Sequence, residues 1–102
     1  MKIKIAMGHF WIEFDNGYQL SVVNNFGSHT KNGLDYEKWE KIIFNRDITA
    51  SWTSEEVEVA IIDKKGDYAT SKILVVNSDT ATISVKELIS LMNLLNLMKG
   101  EE

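Results

Sequence analysis

The two histidines, His9 and His29, are the first residues to consider for catalysis or metal binding, because imidazole is the common general base and metal ligand. Neither has a second histidine or a carboxylate at the spacing that places two ligands on one face of a helix. Ser28, His29 and Asp35 are the residue types of a nucleophilic triad, but they share one short segment without a nucleophile-elbow pattern. We therefore expect no metal site, no cofactor and no catalytic residues.

Residues 24–33 are the segment richest in hydrogen-bond donors. The donors are the side chains of Asn24, Asn25, Ser28, His29 and Lys31. Phe26 is the one apolar residue among them, and the absence of periodicity predicts a surface loop. These groups suit a phosphate or the edge of a nucleotide, and loops often carry function. A loop that is merely solvated is the alternative, and the sequence leaves both open.

Trp11 is the second candidate for ligand binding. It lies on the strand face opposite Phe10 and Ile12, beside His9 and Glu13. An indole ring stacks well on a nucleobase, although tryptophan more often packs in a core. We expect this face to be covered by the middle of the chain or by a partner.

The composition is that of one soluble domain. The chain has 102 residues, 44% of them hydrophobic, and contains no cysteine. It is large enough to bury a core without disulfides. Lysine and isoleucine alternate at the start, so we expect no signal peptide, and no apolar run approaches the ~20 residues of a membrane helix. A single cytoplasmic domain over residues 1–102 follows as the expectation.

The charge identifies no partner. Fifteen acidic and eleven basic residues give a net charge of −4. This is the wrong sign for a general nucleic-acid binder and too small for a nucleic-acid mimic. Direct nucleic-acid binding is therefore not expected.

The first third of the chain predicts strands. Apolar residues occupy odd positions before Gly8 and even positions after it, which we interpret as one bent strand with a bulge at Gly8 and His9. A turn follows at Asp15, Asn16 and Gly17. A three-residue loop with Gly17 left-handed keeps the apolar side chains of both strands on one face. That loop pairs Phe14 with Tyr18, Ile12 with Leu20 and Phe10 with Val22.

The rest of the chain predicts two more strands and two helices. Residues 56–63 form the strongest predicted strand, which we place inside the sheet. A turn over residues 63–67, with Gly66 in the left-handed conformation, follows it. The chain then returns as a strand over residues 68–76. Residues 35–46 have the period of a short amphipathic helix. A capping box of Ser84 and Glu87 begins a C-terminal helix that Gly100 can end. The predicted fold is α+β: a curved antiparallel sheet of four or five strands, backed by the C-terminal helix, with a short helix in the middle insertion.

The apolar stripe of the C-terminal helix is wider than one sheet contact requires. We assign Val85, Leu88, Ile89, Met92 and Leu95 to the core and Leu91, Leu94 and Met98 to a free flank. A homodimer or another partner would cover this flank. A helix deeply wrapped by its own chain is the alternative, and both stay open.

Two motifs give a resemblance to a known group. Residues 14–22 have the pattern Phe-x-Asn-Gly-aromatic-x-x-Ser-Val, followed by Gly27 and Ser28. Residues 58–66 have the pattern Glu-Val-Ala-x-x-Asp-x-x-Gly. The chain thereby resembles small phage and prophage accessory proteins of unassigned function. The resemblance implies a phage protein of a class that includes inhibitors of host defences, and it implies no catalytic residues.

Two functions are compatible with these features. The first is a phage-encoded counter-defence protein that binds and blocks a host immune protein in the host cytoplasm, without catalysis. The alternative is a protein that sequesters a nucleotide signal between protomers with the 24–33 loop. The first requires a binding surface without a deep pocket, and the second requires a concave site.

Overall fold

The computed structural model of the chain describes residues 1–6, 8–24 and 55–99. Over these residues the chain forms a five-stranded antiparallel sheet, in the order β1-β2-β3-β4-β5, and two helices. The strands are β1 (Lys2–Ala6), β2 (His9–Glu13), β3 (Gln19–Val23), β4 (Glu56–Ile62) and β5 (Ala81–Ser84), and the helices are α1 (Thr70–Leu74) and α2 (Val85–Leu97). The predicted α+β fold is confirmed. Neither helix has the length and apolar character needed to cross a membrane.

A hairpin between β1 and β2 explains the change of phase near Gly8. Ile3 pairs with Ile12, so odd positions of β1 and even positions of β2 share one face. Gly8 has a φ of 67°, which glycine adopts without steric cost in a tight turn. The predicted bulge at Gly8 and His9 is therefore wrong. Reversal of the chain shifts the odd–even pattern as a bulge does, so periodicity alone does not separate the two.

The hairpin between β2 and β3 has the predicted loop. Ile12 pairs with Leu20, as expected. The Phe14 N–H donates to the Tyr18 carbonyl at 2.8 Å, and Gly17 has a φ of 94°. The apolar side chains of both strands therefore point to the same face, and the prediction is confirmed.

The strand β4 lies inside the sheet, between β3 and β5, as predicted. The turn that follows it is also confirmed. Its Asp63 N–H donates to the Asp67 carbonyl at 2.9 Å, and Gly66 has a φ of 89°.

The strand predicted after this turn is not formed. Tyr68 makes an isolated bridge to Ile62, and the chain then enters α1. At this point the Ile61 N–H donates to the Thr70 hydroxyl at 2.8 Å, and Thr70 is fully buried. The strand β5 pairs with the first half of β4, along the edge that the returning chain would use. Only the last residues of β4 are therefore left to pair with the returning chain.

The helix α2 begins as predicted. The Glu87 N–H donates to the Ser84 hydroxyl at 3.0 Å, and the Ser84 N–H donates to the Glu87 carboxylate at 3.0 Å. These bonds form the capping box directly after β5. The helix ends at Leu97, and the prediction that Gly100 can end it falls on a residue outside the described ones.

The core lies between α2 and one face of the sheet. Its buried apolar residues are Ile12, Phe14, Tyr18, Leu20, Val22, Val59, Ile61, Ala69, Leu88, Leu91 and Leu95. Leu20, Ile61 and Leu95 are the largest of the fully buried side chains. Burying a side chain of this size stabilises the fold by about 1.5–3 kcal/mol.

The rotation of α2 differs from the prediction. Leu91 is 4% exposed and belongs to the core, whereas Val85 and Ile89, assigned to the core, are 40% and 59% exposed. The contacts of α2 with β4 and β5 set this rotation, and α1, which the sequence prediction missed, borders the groove beside Leu91. Leu74 of α1 and Ile83 of β5 line the same groove as Leu91. They supply apolar neighbours on that side of α2.

The middle insertion contains several of the predictions. The amphipathic helix over 35–46, and all of the donor-rich loop except Asn24, lie outside the described residues. They therefore stay predictions.

Candidate functional site

Four side chains meet on the sheet face opposite α2, which we call the outer face. Lys4 comes from β1, His9 and Trp11 from β2, and Ser21 from β3. Lys4 pairs with Trp11, and Trp11 pairs with Ser21, so these residues form one row across three strands. Because side chains alternate along a strand, residues next to core residues such as Ile12 must point to this face. We call these four residues the outer-face cluster.

The outer-face cluster is held together by direct contacts. The rings of His9 and Trp11 have centroids 3.6 Å apart and are tilted by 32°. The Lys4 ammonium lies 5.2 Å from the centroid of the Trp11 ring, within the range of a cation–π contact. His9 Nε2 lies 2.6 Å from the Ser21 hydroxyl oxygen. The indole is therefore held by contacts with a cation and an imidazole.

Partial burial controls the charge of the imidazole. It lowers the pKa of His9 below the ordinary value of 6.5, because the charged form loses solvation. The ring is therefore mainly neutral near pH 7. In that form one ring nitrogen donates and the other accepts, which suits a hydrogen bond with the Ser21 hydroxyl.

The pairing of Ser21 with His9 resembles a nucleophile and its base, but the surroundings do not suit acyl transfer. Ser21 is only 9% exposed. It lies in β3, between β2 and β4, where backbone N–H groups serve the two ladders instead of an oxyanion. Among the described residues, the side-chain contacts of His9 are with Ser21 and Trp11, and neither supplies a carboxylate. The pair is better understood as a partly buried hydrogen bond that orients the imidazole against Trp11.

A shallow depression borders Trp11 on the outer face. It has a volume of about 440 Å³. Its lining residues are Lys2, Ile3, Lys4, Trp11, Glu13 and Gln19. Two ammonium groups, one indole and one amide suit an anionic ring compound, since the ring stacks and the cations hold its charge, whereas the Glu13 carboxylate in the same lining opposes an anion.

The edge of the sheet beside this depression is not covered by α2. Within the described ranges, β1 pairs with β2 alone and is an edge strand. Ile3 is 60% exposed and Ile5 is 76% exposed, although both lie on the same sheet face as the core residue Ile12. We call β1 with these two side chains the open edge. Exposed apolar surface of this kind often marks a binding site.

The predicted ligand-binding residues have different outcomes. Trp11 lies on the outer face, as expected. Asn24 has a structural position, because its N–H donates to the Gly8 carbonyl at 2.8 Å and its side-chain amide donates to the Glu56 carbonyl at 2.9 Å. It joins the turn after β1 to the start of β4. The remaining four, Asn25, Ser28, His29 and Lys31, lie outside the described residues.

The predicted interface residues on α2 do not form one surface. Leu91 is buried in the core of its own chain, so its predicted place on a free flank is wrong. Met98 is half-buried and packs against the core, and Leu94 is 48% exposed. Leu94 lies in a groove of about 280 Å³ between α1 and α2. Of the three residues, Leu94 is the most available to a partner.

Sequence reasoning missed Lys4, Ser21 and the role of His9. The signal was present, because a hairpin turn at Gly8 places Lys4 directly opposite Trp11. The bulge interpretation put both residues on one strand and so kept them apart. The contact between His9 and Ser21 is diagonal across β2 and β3, and it follows only once the register is known.

Within the described ranges, no group of three His, Cys, Asp or Glu side chains is arranged to hold a metal ion. The chain matches no protein-family model, no curated protein and no solved structure. Proposals about function therefore depend on the outer face and the open edge.

Proposed function

We propose that this chain is a phage counter-defence protein that binds and blocks a host immune protein in the host cytoplasm, without catalysis. The observation that carries the proposal is the end of the sheet at β1, which neither described helix covers. There, exposed Ile3 and Ile5 adjoin Lys4 and Trp11 on the opposite face. The motifs in residues 14–22 and 58–66 supply the phage assignment by resemblance.

The composition of this surface supports protein binding. Tryptophan is enriched among the residues that contribute most to protein interfaces, and Trp11 is already held in place by His9 and Lys4. A fixed ring loses little side-chain freedom on binding. The depression beside it is shallow, which suits a protein surface better than a deeply enclosed small molecule.

The geometry of the Ser21–His9 pair supports an action without catalysis. The hydroxyl is buried, and the strand around it offers no preformed donors for a developing oxyanion. Blocking a protein requires only a stable complex, so the proposal asks for no chemistry at this pair.

Sequestration of a nucleotide signal is the second candidate, and the depression favours it. Its volume of about 440 Å³ is within the usual range for a small-molecule site. In this arrangement a base would stack on Trp11 and phosphates would contact Lys2 and Lys4. The site differs from the one predicted in the 24–33 loop.

We also propose that two copies of the chain associate through the exposed side of α2. Ile89 is 59% exposed, Leu94 48% and Leu97 81%. Leaving such side chains in water forgoes about 1.5–3 kcal/mol each. A two-fold axis would let each helix cover the other.

The proposed function is tested in bacteria that each carry one defence system, challenged with a phage that the system blocks. We expect the protein to raise plating efficiency at least about tenfold in one or more strains, and to form a complex with the purified defence protein of that strain. No gain in any strain would contradict the function. A gain without a complex, together with a rise in melting temperature caused by a cyclic or linear nucleotide, would select the second candidate.

A further inference from the structure

The open edge carries two kinds of side chain on its two faces. Ile3 and Ile5 lie on the core side and are exposed, whereas Lys2 and Lys4 alternate with them and lie on the outer side. An edge strand also offers backbone N–H and C=O groups to another strand. An added strand would therefore contact an apolar face and a basic face at the same time.

A second copy of β1 is a poor occupant of this edge. In an antiparallel pair, directly opposite residues lie on the same face, so any register that pairs isoleucine with isoleucine also pairs lysine with lysine. The repulsion between ammonium groups opposes such a dimer. Lysine at sheet edges commonly has this effect.

The same charges select another kind of strand. We infer that the open edge binds an extended segment of a partner protein in which apolar and acidic residues alternate. Its apolar side chains cover Ile3 and Ile5, and its carboxylates contact Lys2 and Lys4. The segment extends the sheet beyond β1 by backbone hydrogen bonds. The inference rests on the proposed function and names the chemistry of the partner's contact segment.

The adjacent outer face supports this assignment. Lys4 is held 5.2 Å from the Trp11 ring centroid, and Glu13 lies across the strand pair from Lys2. Among the described residues, neither lysine forms an ion pair, and both are exposed. Their charges are therefore available to the carboxylates of an added strand.

The test uses the full chain and three fluorescein-labelled nine-residue peptides in an anisotropy titration. The first alternates valine and glutamate, the second alternates valine and lysine, and the third has the composition of the first in a scrambled order. We expect the first to bind at least about tenfold more tightly than the other two, and more weakly as salt increases. Equal binding of all three, or no binding of the first, would overturn the inference.

Charge reversal gives the matched control. Lys2→Glu with Lys4→Glu should reverse the preference between the glutamate and lysine peptides. Lys65→Glu with Lys72→Glu makes the same change in net charge at exposed positions elsewhere and should leave the preference unchanged. If both double variants behave alike, the peptides respond to net charge and the inference fails.

Hydrogen exchange locates the bound peptide. Amide protons of β1 that do not bond to β2 should exchange at least about tenfold more slowly when the glutamate peptide is bound. Binding without this protection would place the peptide elsewhere and overturn the inference. A protein that rescues phage plating but fails these peptide tests would keep its proposed function and lose only this contact.

Discussion

The side-chain amide of Asn16 donates a hydrogen bond of 2.6 Å to the backbone carbonyl of Leu95. The same nitrogen lies 2.7 Å from the Met98 carbonyl, while the amide oxygen accepts from the Tyr18 N–H at 3.1 Å. The last carbonyls of a helix have no partner within the helix. One side chain in the β2–β3 turn therefore completes that turn and fixes the end of α2 against the sheet.

Asn16→Asp separates these two roles. The aspartate keeps an oxygen for Tyr18 but has no N–H for Leu95 and Met98, and it adds a negative charge at the negative end of the helix dipole. We expect the free energy of unfolding to fall by about 1–3 kcal/mol in urea denaturation. Asn96→Asp places the same charge at an exposed position near this helix end and should cost less than about 1 kcal/mol. Equal losses would show that charge, and not the lost bonds, sets the effect.

Thr70 provides a test of the contact that ends the pairing with β4. Thr70→Val keeps the shape but removes the hydroxyl that accepts from the buried Ile61 N–H, so we expect a loss of about 1–3 kcal/mol in thermal or urea unfolding. Thr70→Ser keeps the hydroxyl and should lose less. The account of α1 would be wrong if serine were as destabilising as valine.

Gly17 and Gly66 form a matched pair of turn positions. Both have positive φ, so alanine at either site should cost about 1–2 kcal/mol. At Gly17 the added Cβ would also lie 3.0 Å from the Cβ and Cγ atoms of Lys64, whereas at Gly66 it would meet open space. Gly17→Ala should therefore lower the melting temperature more than Gly66→Ala. The reverse order would contradict the packing of the two turns.

The pKa of His9 predicts a pH dependence of stability. Since the folded-state pKa is below 6.5, the unfolded chain takes up the proton first as the pH falls. The stabilisation is complete above about pH 6.5 and is lost as the pH falls through the folded-state pKa. Hydrogen bonds with Ser84 lower the pKa of Glu87 below 4.5, so that carboxylate stays charged in this range.

The measurement compares wild type with His9→Gln, which keeps an amide near Ser21. Between about pH 7.5 and 5.5 the wild type should lose more unfolding free energy than the variant. NMR titration of the imidazole should give a pKa below 6.5. A value above 6.5, or equal losses in the two proteins, would contradict the burial of the ring.

Local turn chemistry allowed much of the fold to be predicted. Gly17 and Gly66 each specify a hairpin turn, and the capping box at Ser84 specifies the start of α2. In each case the residues of the turn or cap are sufficient, without contacts from the rest of the chain. The path after Tyr68 was not predictable in this way. It depends on Thr70 bonding to Ile61, and the composition of residues 68–76 is compatible with a strand.

The site was predicted less completely, because it depends on contacts between strands. Trp11 was placed on the correct face by its alternation with Ile12. Lys4 and Ser21 reach it only through the registers of two hairpins, and one of those hairpins was interpreted as a bulge. Leu91 was misplaced because contacts with β4 and β5 determine which side of α2 is buried, and the helical period alone does not determine those contacts.

The central claim is that the chain acts by binding through its outer face and open edge, and not by a reaction at Ser21. The most direct measurement is phage plating efficiency in a strain that the wild-type protein rescues. The two variants compared are Ser21→Ala and Trp11→Thr. Circular dichroism verifies that both variants are folded. Ser21→Ala should retain most of the rescue, because binding needs no nucleophile and Lys4 still contacts the indole, whereas Trp11→Thr should reduce rescue at least about tenfold by removing the ring. Loss of rescue in Ser21→Ala, with full rescue by Trp11→Thr, would contradict the claim.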